Sequence, residues 1–199
     1  NDQTAIGYAA GYSMTTGLRN IVIGSAAGYN ITTSNDVVAI GYQAGRKSGA
    51  ESVWVGANAG GETTGTVNTS SSVGIGFDAL TNATSYGNVA VGVDTGKYIT
   101  TGENNTFIGR GAGYNTTIMT TGENNTAIGF GSSGSGSTVS NEFTLGNSSI
   151  ATLRCQVQTI TALSDRRDKK DIEELPLGVD FINTLKPVKF TWNMRDGAK

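Results

Sequence analysis

A short motif recurs along the first three quarters of this 199-residue chain. Each copy has a branched apolar residue, then a glycine that we call the anchor glycine, then a pair that is usually Ala-Gly three and four residues later. Successive anchor glycines lie 15 to 20 residues apart, with a mean of about 17. A nearly fixed period of this kind predicts a stack of similar turns. The anchor glycines are Gly7, Gly24, Gly41, Gly56, Gly76, Gly92, Gly109, Gly129 and Gly146.

Two positions before each anchor glycine favour β-structure. The residue directly before it is Ile, Val or Leu in every copy, and another strand-favouring residue precedes that one by two positions, as in Ile21 and Val38. This period of two predicts a short strand that buries one face, and the interior is expected to hold mostly Ile, Val and Ala. The anchor glycine suits a point where the backbone turns or meets a neighbour too closely for a Cβ atom.

We therefore predict an all-β fold, a β-roll or β-solenoid of about nine rungs of roughly 17 residues over residues 1–149. Rungs stacked about 4.8 Å apart would form a rod of about 40 Å. Gly, Asn, Ser and Thr supply 90 residues, yet 37% of the chain is hydrophobic and 15% is charged, which favours ordered repeats over disorder. Such a thin rod leaves apolar surface exposed, and we expect self-association as a homotrimer.

Composition also excludes several classes of site. The chain has no His and only Cys155, which rules out the usual His or Cys zinc sites, a Ser-His-Asp triad and an intrachain disulfide. We predict no metal and no cofactor. A net charge of −2 gives no basic field for nucleic acid, and no apolar run approaches the roughly 20 residues of a membrane span.

The character of the chain changes near residue 150. Residues 164–199 hold half of all charged residues, and both prolines follow residue 150. The segment 150–163 alternates apolar and polar residues, which predicts a strand-like stem in which Cys155 is a small packing residue. Beyond it we predict a small α+β fragment, with a short helix over 179–185 and a strand over 188–192.

The repeats from Thr4 to about Asn147 follow the pattern [Asn/Ser]-x-x-[Ile/Val]-Gly-x-x-Ala-Gly. This pattern resembles the head repeats of trimeric autotransporter adhesins. The resemblance implies left-handed parallel β-rolls packed as trimers, a type of roll that also occurs in phage fibres.

A second resemblance begins at Leu163-Ser164-Asp165-Arg166-Arg167-Asp168-Lys169-Lys170-Asp171-Ile172 and continues through 178–192. These residues resemble the start of the intramolecular chaperone domain of phage tailspikes and endosialidases, also called peptidase S74. The resemblance implies a domain that trimerises, helps three chains of a β-rich fibre to register and fold, and is then released by autoproteolysis.

Matching that motif puts the nucleophile at Ser164, the base at Lys169 and the cleaved bond between Ser164 and Asp165, with Lys170 as the rival base. A Lys whose pKa is lowered by burial or by neighbouring cations can activate a Ser hydroxyl without His. The two residues could meet within one chain or across protomers. At most the chain is a self-cleaving Ser-Lys autoprotease, and because it stops 35 residues after Ser164 we expect Ser164 to be inert here.

These resemblances predict a structural phage tail fibre or tailspike protein, located in the virion and acting in host adsorption. The expected partners are two further copies of the chain, other virion tail proteins and a cell-surface receptor, for which a glycan is one candidate. Two alternatives stay open: the head of a bacterial trimeric adhesin, and a tailspike that depolymerises glycans.

Weaker signals lie within the repeats. Asp78 and Asp94 each follow an anchor glycine by two residues in adjacent copies, so stacking would bring them together as a cation site or an acid-base pair, although solvated loop acids are the commoner case. Aromatic residues recur in register and predict either sugar stacking or packing between protomers. They are Tyr8, Tyr42, Phe77 and Phe130 after anchor glycines, and Tyr12, Tyr29 and Tyr114 after the Ala-Gly pair.

Overall fold

The computed structural model describes residues 2–61, 69–114 and 118–156. These residues contain no helix and form one nine-stranded sheet in which all strands are parallel and follow chain order. The prediction of an all-β solenoid is therefore confirmed. The strands are β1 Thr4–Ile6, β2 Ile21–Ile23, β3 Val38–Ile40, β4 Val53–Val55, β5 Val73–Ile75, β6 Val89–Val91, β7 Thr106–Ile108, β8 Thr126–Ile128 and β9 Phe143–Leu145.

Equivalent positions of successive turns pair with one another. Val38 of β3 lies between Ile21 of β2 and Val53 of β4. The parallel hydrogen bonds continue beyond the strands, because the Gly41 N–H donates to the carbonyl of Ile23 and the Gly45 N–H to that of Ala59. Each turn is thus bonded to its neighbours both at the anchor glycine, which forms a corner, and at the Ala-Gly pair that follows, which we call the second side. These bonds satisfy backbone groups that three-residue strands alone would leave unpaired.

The anchor glycines form a column down the solenoid. Gly41 has φ of 134°, a conformation that is essentially reserved for glycine, and a Cβ atom placed on it would lie 2.6 Å from the carbonyl oxygen of Gly56. The predicted need for glycine at this position is confirmed for both reasons, backbone conformation and close approach.

The core holds mostly Ala, Val and Ile, as predicted, but it takes them from other positions of the turn than expected. The middle residue of each of the strands β2 to β8 is buried, whereas the residues on either side of it are half-buried or exposed. The expectation that the branched residue before the anchor glycine fills the core is wrong. The narrow interior instead takes residues such as Ala39 and Ala90 from the strands and Ala44 and Ala59 from the opposite side.

Two large side chains enter this narrow interior because glycines make room for them. Trp54 of β4 pairs in register with Gly74 of β5, where a Cβ atom would lie 2.7 Å from the indole ring. The Trp54 indole N–H donates to the hydroxyl of Ser48 at 2.7 Å, so its polar atom is satisfied inside the core. Phe107 of β7 lies against Gly113 in the same manner.

Beyond the sheet, the compact unit that contains the nine strands extends to Leu153. Residues 151–156 contain no strand and are exposed, and the strand-like stem over 150–163 stays a prediction. Cys155 is likewise exposed and does not pack within its own chain. The rest of that stem, and the helix and strand predicted over 179–185 and 188–192, lie outside the described residues.

Candidate functional site

The sheet presents one face away from the core, formed by the first and third residues of β1 to β9. We call it the outer sheet face. It carries no charged residue: its side chains are Ile, Val, Leu and Phe, with three Thr. Ile40, Ile75 and Ile108 are 37 to 40% exposed in the middle of the solenoid. Nine strands at about 4.8 Å give this face a length of about 38 Å.

Aromatic residues lie beside the outer sheet face in some of the turns, just past the corner at the anchor glycine. Tyr42, Phe77 and Phe130 directly follow their anchor glycines and are 54%, 49% and 60% exposed. One charged residue, the exposed Arg110, occupies this position, and other charged side chains lie elsewhere on the turns, as in the exposed ion pair between Arg19 and Asp36. A contiguous apolar surface of this length is characteristic of a surface that contacts another molecule.

The stacking of turns brings Asp78 and Asp94 together, as predicted, but a cation of the chain itself joins them. The ammonium of Lys97 lies 2.7 Å from Oδ2 of Asp78 and 3.0 Å from Oδ1 of Asp94. The second oxygen of Asp78 accepts a hydrogen bond from the Asn58 amide at 2.9 Å. Asp78 is buried, so the prediction of solvated loop acids is wrong for this residue.

The hydrogen bond to Asp78 is the largest influence on Lys97 and raises the pKa of its ammonium above the usual range, with Asp94 acting in the same direction. Lys97 was not identified from the sequence, although it follows Asp94 by three residues and occupies the position of Tyr12 and Tyr29 in their own turns. In the described residues no group of three or more His, Cys, Asp or Glu side chains is arranged to hold a metal ion.

The aromatic residues after the Ala-Gly pairs stack on one another. The rings of Tyr12 and Tyr29 are 5.0 Å apart and nearly parallel, and the guanidinium of Arg46 covers the Tyr29 ring at 5.6 Å. Tyr114 packs at an angle on Tyr98 at 4.9 Å. Tyr12 and Tyr29 cover each other's facing ring surfaces, and Arg46 covers the other face of Tyr29. These surfaces are therefore not open to a sugar ring.

The residues predicted for autoproteolysis, Ser164, Asp165, Lys169 and Lys170, all lie outside the described residues. A family model described as Peptidase_S74, chaperone of endosialidase, matches residues 164–199. This match covers the segment that carries the second resemblance. The chaperone-type segment follows a parallel β-solenoid, and that combination fits a tail-fibre-like protein.

Neither a curated protein nor a solved structure matches the chain. The resemblance of the repeats to autotransporter heads is therefore unsupported by these comparisons. No helix within the described ranges is long and apolar enough to cross a membrane.

Proposed function

We propose that this chain is part of a phage tail fibre or tailspike in which three copies pack through their outer sheet faces into a β-roll shaft. The uncharged outer sheet face is the observation that carries the proposal. In a single chain it leaves residues such as Ile75 and Ile108 in contact with water. Burial of each such side chain in an interface is favourable by about 1.5 kcal/mol or more.

A second copy of the chain is the partner that fits this face best. The face repeats once per turn, and a partner with the same period can repeat its contacts along the full length of about 38 Å. Association around one axis closes the assembly without leaving a free apolar face. The number three rests on the S74-type match at residues 164–199, because that family is associated with trimeric tail proteins.

Within this proposal the S74-type segment promotes trimerisation and folding and is then released. Ser164 is the nucleophile, Lys169 is its base and the bond between Ser164 and Asp165 is cleaved. The shaft stays in the virion, bound to other tail proteins, and acts in adsorption to a cell-surface receptor. The glycan-depolymerase alternative is weaker, because Lys97 forms an ion pair with each carboxylate of the paired Asp78 and Asp94.

Light scattering tests the assembly. The chain should have a solution mass near three times 20.5 kDa. Ile75→Lys puts a charge on the outer sheet face and should lower that mass, whereas Thr101→Lys, at an exposed position between strands, should leave it unchanged. A stable monomer of the unmodified chain, or a trimer indifferent to Ile75→Lys, contradicts the proposed shaft.

Mass spectrometry of a protein that carries the complete chaperone domain tests the cleavage. We expect a product that ends at Ser164 and that disappears in both Ser164→Ala and Lys169→Ala. Lys170→Ala is the matched control and should still be cleaved. Loss of cleavage in Lys170→Ala but not in Lys169→Ala would move the base to the rival position.

A further inference from the structure

A small depression lies on the solenoid near Gly111, where the residues two positions after the anchor glycines change from Asn and Asp to Gly. It has a volume of about 100 Å³ and is lined by Asp94, Arg110, Gly111, Tyr114 and Phe130, which belong to three successive turns. Gly111 belongs to the column of residues that follow the anchor glycines by two positions. That column holds the side chains of Asn58, Asp78 and Asp94 in consecutive turns and then only glycine, at 111 and 131.

Gly111 lines the depression and contributes no side chain to it. Gly111 has φ of 64°, close to the 54 to 57° of Asn58, Asp78 and Asp94, so the backbone of the column continues unchanged. Gly111 therefore has no side chain at a position where Asn58, Asp78 and Asp94 each carry one. Phe130, 60% exposed, and the half-buried Tyr114 line the depression together with the polar groups of Asp94 and Arg110.

The lining groups offer two kinds of contact. Phenyl and phenol rings provide apolar surface for a flat ring with C–H groups, as in other small-molecule sites. The Asp94 carboxylate accepts hydrogen bonds and the exposed Arg110 guanidinium donates them. Hydroxyl groups need both types of partner, because each hydroxyl donates one hydrogen bond and accepts others.

The net charge of the groups around the depression indicates whether its ligand is neutral or anionic. Lys97 joins Asp94 to Asp78, so the two carboxylates, the ammonium and the guanidinium of Arg110 sum to zero. A local sum of zero gives no field that would attract an acidic group. A neutral polyhydroxylated ring matches both the apolar walls and the balanced charges.

We propose that the depression over Gly111 binds one neutral hexose unit of a surface glycan. The sugar ring packs on Phe130 and Tyr114 while its hydroxyl groups donate to Asp94 and accept from Arg110. The inference rests on the proposed adsorption function, since it gives the receptor a chemical class and a position on the shaft.

Saturation-transfer NMR on the whole chain, with hexasaccharides of glucose, galactose and mannose as probes, tests this. At least one neutral probe should receive saturation, and trigalacturonate should receive none. Gly111→Asn restores the side chain of the earlier turns in a backbone conformation that Asn tolerates, and should weaken binding at least tenfold. Gly131→Asn, the matched control in the same column, should bind like the unmodified chain.

Three results would overturn the site: no transfer to any neutral hexasaccharide, binding that is unchanged in Gly111→Asn, or a preference for trigalacturonate. Circular dichroism of both variants reports whether the solenoid has formed, and Arg110→Gln, a surface change, gives a second route to weaker binding. Light scattering on the same samples separates the two proposals. A trimer that binds no sugar overturns only the site, and a monomer that binds sugar overturns only the trimeric shaft.

Discussion

The side-chain oxygen of Asn88 accepts two hydrogen bonds from Asn105, one from its backbone N–H at 3.0 Å and one from its amide group at 3.1 Å. Asn105 bonds to Asn125 in the same way one turn further on. All three side chains are buried, and each lies four residues before its anchor glycine. This ladder supplies polar partners in the core where the chain enters each strand.

Replacing Asn105 with Ala removes the acceptor for the buried N–H of Asn125. We expect the free energy of unfolding to fall by about 2 to 3 kcal/mol, as measured by denaturant titration. Asn105→Ser is the control, because Ser72 occupies the same column and its hydroxyl accepts the Asn88 N–H at 3.2 Å. Equal losses in the two variants would mean that the side-chain oxygen is not the stabilising group.

A methyl group on an anchor glycine should be far more damaging than one on a glycine in open space. Gly41→Ala combines a φ of 134° with a contact of 2.6 Å to the Gly56 carbonyl, and we expect a loss of about 3 kcal/mol or more. Gly136→Ala has no atom within 4 Å of the added carbon and should change the thermal midpoint little. Similar midpoints for the two variants would contradict the tight stacking of the glycine column.

Lys97→Met should leave Asp78 buried without its cation. We expect a loss of about 2 kcal/mol of unfolding free energy in denaturant titration, because a buried charge is left partly unsatisfied. Arg19→Met breaks the exposed pair with Asp36 and should have no measurable effect. Destabilisation by Arg19→Met equal to that by Lys97→Met would remove the distinction between the two pairs.

Alkaline pH should weaken the same ion pair. Because the pKa of Lys97 is raised in the fold, its contribution is complete below the unfolded pKa of about 10.4 and declines as pH rises towards the folded value. The stability gap between the unmodified chain and Lys97→Met should therefore narrow above about pH 10. The hydrogen bond with Tyr98 also raises the pKa of Tyr114, but that group is present in both proteins. A gap that is constant to pH 11.5, within about half a kcal/mol, would contradict the effect.

Positive φ angles identify a site for stabilisation. Ala26 follows its anchor glycine by two residues and has φ of 55°, a region that favours Gly, Asn and Asp. Asn58 and Asp94 occupy this position in their turns, so Ala26→Asn should raise the unfolding free energy by about 0.5 to 1 kcal/mol. Ala57→Asn, one residue before the same column, should give no gain. Calorimetry that finds Ala26→Asn destabilising would refute the conformational reason.

The sequence predicts where each turn of the solenoid begins and ends better than it predicts which face of each strand is buried. Every anchor glycine ends a strand in the position expected, because the glycine requirement is local to the backbone. The choice of buried face depends instead on the width of the roll. A three-residue strand such as Val38–Ile40 has two outward residues for one inward residue, and only the small Ala39 between them indicates which side is narrow.

The candidate site illustrates the same limit. Asp78 and Asp94 are recognisable as a pair from their equal distance to the anchor glycine, because that relation follows from the repeat alone. Lys97 bonds to both of them, and that contact depends on the path of the chain after Asp94. The depression at Gly111 depends on what neighbouring turns leave empty, which becomes visible only when three turns are stacked.

Because the strands pair in chain order, each turn stacks on the one before it, and successive turns are nearly identical. Displacing one chain against another by a whole turn would restore most of the same apolar contacts, so the repeats themselves discriminate weakly against slippage. Chains of this kind benefit from a shared starting point at one end. A segment that aligns the ends of three chains before their repeats pack would fix the register between the chains, which the uniform repeats alone leave ambiguous.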